Sequence, residues 1–109
     1  MIHLFDYANY LGITKPIVVK VNSRSHKRWE GSYLPKYSAK GKLIEHRITI
    51  WLNGIGRDFD TVLAHELIHA YHEEEGIQEW HGKRFRKDAK LMTKKFSWLE
   101  GIYQKGIDT

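Results

Sequence analysis

Two histidines, His65 and His69, stand four residues apart with Glu66 between them in the string His65-Glu66-Leu67-Ile68-His69. On a helix, side chains four apart project to one side, one turn above the other. Two imidazoles so placed can grip one metal ion, with the intervening glutamate facing the position they leave open. That is the HExxH arrangement of zinc hydrolases. Hydrolytic zinc takes three protein ligands and one water, and lowers the pKa of that water to about 7. Glu66 lies about 100° around the helix from His65. There it can take a proton from water and return it to a leaving amine.

A third ligand has to come from elsewhere in the fold. His81, in His81-Gly82-Lys83-Arg84-Phe85, is the leading candidate. Phe85, Ala89, Met92, Phe96 and Leu99 recur at spacings of four and three, which defines the core stripe of a last helix from about Gly82 to Leu99. One turn back from Phe85 falls on His81, so this imidazole continues the inward face. Glu79 is a rival, because zinc sites also use glutamate. Three ligands from one straight helix cannot surround an ion, which counts against His72 and Glu73. His46 lies on a strand and reads as a histidine paired with its neighbours. His3 and His26 read as surface residues.

The elements that must position these groups follow from periodicity. His3 to Leu11 reads as a short helix ended by Gly12, and Ile17 to Val21 as a strand. A polar hairpin loop, Ser23 to Arg28, leads to a second strand over Trp29 to Leu34. Pro35 to Gly41 reads as loop. Leu43 to Leu52 is a strand with Ile48, Ile50 and Leu52 on one face and Arg47, Thr49 and Trp51 on the other. Asn53-Gly54-Ile55-Gly56 breaks it, and Asp58 is placed to cap the metal helix, with Asp60 in its first turn. Phe59, Val62, Leu63, Leu67, Ile68 and Ala70 cover so much of that helix that it must be largely buried. Gly76 stops it.

The chain has 109 residues, 41% hydrophobic and 28% charged, and no cysteine. That composition suits one soluble globular domain over residues 1–109, with a modest core. Cysteine-bound zinc and disulfides are excluded, in keeping with a reducing, cytoplasmic compartment. No apolar run is long enough for a membrane span, and Met1-Ile2-His3 does not open a signal peptide. The formal net charge is +5 and the pI about 9.5, which permits a polyanionic partner. Lys83, Arg84, Arg86, Lys87, Lys90, Lys94 and Lys95 crowd the last helix, opposed by Asp88, and offer a phosphate-contacting strip. Arg24-Ser25-His26-Lys27-Arg28-Trp29 mixes cations with a ring, suited to single-stranded nucleic acid. The run Glu73-Glu74-Glu75 should repel phosphates locally.

Four segments together resemble the SprT family of zinc metallopeptidases across about residues 1 to 100. They are Trp29-Glu30-Gly31-Ser32-Tyr33, Ile48-Thr49-Ile50-Trp51-Leu52-Asn53, Val62-Leu63-Ala64-His65-Glu66-Leu67-Ile68-His69-Ala70, and His81-Gly82 with Phe85. The resemblance implies one Zn2+ on His65, His69 and His81, Glu66 as catalytic base, and cleavage of proteins bound or crosslinked to DNA. The cysteine zinc ribbon and long tails of many members have no counterpart in this chain.

The expectation is therefore an α+β, zincin-like domain. A small, mostly antiparallel sheet packs on the HExxH helix and on a long C-terminal helix. The expected activity is zinc-dependent endopeptidase, acting as a monomer on extended protein, near single- or double-stranded DNA and the nucleoid. Backbone pairing at a sheet edge would make sequence preference loose. Tyr33, Tyr71, His72 and Tyr103 are the candidate oxyanion stabilisers. The competing functions are a non-catalytic zinc-containing module that binds nucleic acid or protein, and a metal-dependent hydrolase of a non-peptide bond.

Overall fold

The computed structural model describes residues 3–23, 29–52, 59–102 and 107. In chain order the elements are α1 (Leu4–Leu11), β1 (Ile17–Asn22), β2 (Gly31–Tyr37), β3 (Leu43–Trp51), α2 (Phe59–Glu75) and α3 (Lys83–Lys95). Among the described residues, three helices and one three-stranded mixed sheet make an α+β fold. The expected cap at Asp58, the break at Asn53 to Gly56 and the basic loop at Arg24 to Arg28 lie outside the described residues, as does Tyr103.

The sheet departs from expectation in its order, β1-β3-β2. β1 runs parallel to β3 with Ile17 opposite His46 and Val21 opposite Ile50. β2 runs antiparallel to β3 with Gly31 opposite Ile50 and Tyr33 opposite Ile48. The sheet is thus half parallel, rather than mostly antiparallel, and β1 and β2 do not form a hairpin. β3 takes the centre because His46, Ile48 and Ile50 are its fully buried row. A strand between two neighbours satisfies its backbone on both sides where water cannot reach it. The hairpin is instead β2–β3, closed by Ser38 and by Gly41 at φ +82°.

β2 also runs further than expected, through Pro35 to Tyr37. Proline is tolerated because β2 is an edge strand. Gly31 donates its N–H away from β3, to the Ile107 carbonyl at 3.0 Å. Pro35 shares that parity, so its missing donor falls on the free edge. An edge with one N–H taken and another absent is a poor template for an added strand.

Helix α2 is the centre of the molecule. Every residue from Thr61 to Ala70 is buried, and so is His72. It lies on β2 and β3 and is flanked by α1 and α3. Val62, Leu63, Leu67 and Ile68 meet Tyr33, Ile48 and Ile50 in one core. Each such aliphatic side chain contributes roughly 1.5–3 kcal/mol when fully buried. Gly76, at φ +71°, lets the chain leave α2, and Ile77 donates its N–H to the His72 carbonyl. No helix among the described residues is long and apolar enough to cross a membrane.

Helix α3 presents Phe85, Ala89 and Met92 to the core and docks on α2 rather than on the sheet. It is shorter than the apolar spacing suggests, ending at Lys95. Phe96 and Leu99 stay buried, but Phe96 has left helical geometry at φ −118° and ψ 87°. The cause is tertiary. Phe96 sits edge-on to Tyr7 of α1 at 4.9 Å, and Trp98 donates its indole N–H to the Tyr7 hydroxyl at 2.8 Å. Tyr7 in turn donates to Asp60 at the start of α2. A helix continued to Leu99 would carry Trp98 away from this chain of bonds.

Candidate metal centre

The two histidines of α2 are almost wholly enclosed, His65 at 0% and His69 at 2% exposure. His81 joins them from the residue before Gly82, the N-cap of α3. His65 Nε2 is 3.3 Å from His69 Nε2 and 3.2 Å from His81 Nε2. Two metal–nitrogen bonds of about 2.0–2.1 Å at a tetrahedral angle put their nitrogens about 3.3–3.4 Å apart. The observed edges match that figure. The three donor atoms all lie within 4.8 Å of one another, so the group can hold a metal ion. Imidazole donors suit zinc, copper, iron or nickel.

The orientation of His65 supports this. Its Nδ1–H points to the Ile102 carbonyl, 2.5 Å away. A proton held on Nδ1 leaves a lone pair on Nε2, the nitrogen that faces the other two rings. Histidines that ligate metals commonly use their second nitrogen this way. Phe85 walls the cluster, with its ring centroid 4.7 Å from His65, 4.8 Å from His69 and 5.2 Å from His81.

Glu66 is 0% exposed and lies where α2 meets β2. Gly31 leaves space for it. A Cβ at Gly31 would stand 2.9 Å from Glu66 Oε2 and 2.7 Å from Val62 Cγ1. Gly31 weakened the strand alternation in the sequence, and the contact explains why a residue without a side chain stands there.

The remaining candidates are placed otherwise. Glu79 is not among the grouped donors; it folds against Gly82, whose Cβ would stand 2.7 Å from its Oε1. His46 is a buried paired histidine, as its strand position suggests. Tyr33 donates its hydroxyl to His46 Nδ1 at 2.6 Å, and His46 Nε2 donates to Glu74 at 2.6 Å. That bond directs the Tyr33 hydroxyl to His46, although its ring stacks toward His69 at 6.5 Å. Burial, with the nearby Glu73 charge, raises the Tyr33 pKa well above the usual phenol range. His72 is held by Asp88 at 2.6 Å and ties α2 to α3. The Tyr71 hydroxyl accepts from Arg84 at 3.5 Å. His3 stands at the N-terminal end of α1, with its ring beside Asp6.

Two features had only faint signals in the sequence. Trp80, next to His81, lies flat on His69 with centroids 3.8 Å apart and planes 14° from parallel. Glu74, read as one of three repelling acids, binds the Thr14 and Lys15 backbone N–H groups as well as His46. Its neighbour Glu73 accepts from Tyr37 at 2.7 Å, which raises the Tyr37 pKa.

Comparison of the chain with protein-family models, with curated proteins and with solved structures gave no match.

Proposed function

We propose that this chain is a zinc-dependent endopeptidase of SprT, zincin-like type. The observation that carries the reading is the convergence of three imidazole nitrogens at tetrahedral edge distances, with a buried carboxylate one residue from the first of them. His65, His69 and His81 would hold the ion. When bound, zinc supplies Lewis-acid polarisation of the scissile carbonyl and acidifies water. Glu66 accepts the proton of the attacking water and delivers it to the leaving amine. A structural zinc site has no need of that acid. The absence of a side chain at Gly31 leaves the acid its room.

The surface is concave beside Trp80. A cleft of about 230 Å³ there is lined by His69, His72, Glu73, Ile77, Gln78, Glu79 and Trp80. The blunted β2 edge does not favour strand addition. Lys83, Arg86, Lys87 and Lys90 line a groove of about 460 Å³ on α3, which begins two residues after His81. Arg84 is turned to Asp88 instead. This cationic face is suited to the phosphates of DNA, and would bring DNA-bound protein to the site. A reducing, cytoplasmic setting near the nucleoid fits this reading.

The test is zinc analysis of purified protein together with cleavage of casein and histone, with and without single-stranded DNA. One zinc per chain is expected, with cleavage lost on chelation and restored by zinc. Zinc uptake without cleavage under either condition rejects the peptidase reading. Joint replacement of Arg86, Lys87 and Lys90 by Ala should weaken DNA binding and reduce its salt slope by about one for each phosphate no longer neutralised.

Gly31→Ala should retain zinc yet lose most hydrolysis, because the added methyl displaces Glu66. The overpacking should also cost about 1–3 kcal/mol of stability. Metal content, turnover and thermal denaturation read the three effects separately.

A further inference from the structure

We propose that Trp80 is a positioning residue of the metal centre, which clamps the turn carrying His81 onto the helix carrying His69. The proposal rests on the reading of His65, His69 and His81 as a metal site. Two of the donors belong to α2, and the third arrives on the turn between Gly76 and Gly82. That turn has to be held against α2 for the third donor to stay in reach. Trp80 does this directly. It is the residue before His81, and its indole lies on the His69 ring at 3.8 Å and 14°.

The contact couples the two donors on either side of it. A flat stack restricts rotation of the His69 ring, and so fixes the direction of its Nε2. The same stack anchors the backbone that delivers His81, whose ring centroid is 5.0 Å from that of His69. His65 is held differently, by the Ile102 carbonyl. Trp80 keeps 42% of its surface exposed. A large ring in that position contributes little to the core, so its covered face against His69 is what it adds. An aromatic pair of this kind is worth more than its buried area alone. Groups that orient metal ligands commonly change metal affinity by about 10–100-fold when removed.

The experiment compares wild type with Trp80→Ala and Trp80→Phe. Zinc affinity is measured by competition with a chromophoric chelator, and emission is followed during titration with Co2+. Trp80→Ala should bind zinc about 10–100-fold more weakly. Trp80→Phe keeps a ring on His69 and should stay within about threefold of wild type. The chain has four tryptophans. Co2+ should quench wild-type emission, and most of that quench should vanish in Trp80→Phe, which assigns it to Trp80. Equal zinc affinity in wild type and Trp80→Ala, or an unchanged quench in Trp80→Phe, overturns the role of Trp80 while the metal site stands. A wild type that takes up neither metal overturns the metal site itself. A purely structural role for Trp80 would lower the melting temperature of zinc-free protein and leave zinc affinity unchanged, and that result also rejects the proposal.

Discussion

Glu66→Gln should lower peptide hydrolysis by about 10²–10⁴-fold and leave one zinc per chain. The magnitude is that of losing a positioned general acid–base group. Glutamine matches glutamate in size, so the fit against Gly31 is kept. It cannot accept a proton from water at neutral pH. The three imidazoles belong to other residues, so the metal should remain. Loss of zinc together with activity would mean that Glu66 holds the site together and does no proton transfer. Retained activity would mean that the acid is a bystander and that another group moves the proton. Zinc analysis beside a peptide turnover assay separates the three results.

Glu74→Ala should cost about 1–3 kcal/mol of folding stability, the range for leaving a buried polar group without its hydrogen-bond partner. Glu74 joins three parts of the chain. It accepts from His46 at 2.6 Å on β3, from Thr14 N at 2.9 Å and from Lys15 N at 3.0 Å. His46 is fully buried, so the substitution strips a buried ring nitrogen of its acceptor. The same bonds give a pH signature. Burial opposes ionisation of Glu74, but the hydrogen bonds from His46, Lys15 and Thr14 outweigh it and hold the carboxyl below its usual value. A carboxyl with a lowered folded pKa stabilises the fold above its unfolded pKa, about 4.3. That contribution disappears as pH falls through the lower folded value. Wild type should therefore lose stability through that acid window, and the gap between wild type and Glu74→Gln should narrow there. Urea denaturation at a series of pH values measures both effects. A gap that stays constant with pH would show that the hydrogen bonds do not depend on the carboxylate charge.

The donor set was legible because it is written locally. His65 and His69 share a helix that is apolar almost all round, which places them inside, and Gly76 marks its end. His81 was found from the step of four back from Phe85, although α3 begins only at Lys83 and His81 reaches the site from the turn before it. The positions of β1 and β3 were legible for the same reason, whereas β2 runs on through Pro35 to Tyr37. Strand order was not legible, since alternation says which residues face inward but not which strand lies alongside. β1 and β2 are adjacent in sequence and looked like a hairpin, yet β3 separates them. The end of α3 was hidden because Phe96 and Leu99 keep helical spacing while Tyr7 and Trp98 turn the backbone. Glu74 and Trp80 act through partners distant in the chain or on a neighbouring element. Nothing in a run of acids or in a lone indole announces such a partner.

The interposed position of β3 has a consequence for how the chain assembles. β2 and β3 meet across a tight turn at Ser38 to Lys42 and can zip together early, since little chain must be closed. β1 is made first on the ribosome but has no neighbour until β3 has appeared, with all of β2 threaded between them. A parallel pair of that separation forms late and slowly. Until then the nascent N-terminal segment waits with Ile17 and Val19 uncovered, and this interval is where a chaperone would find most to hold.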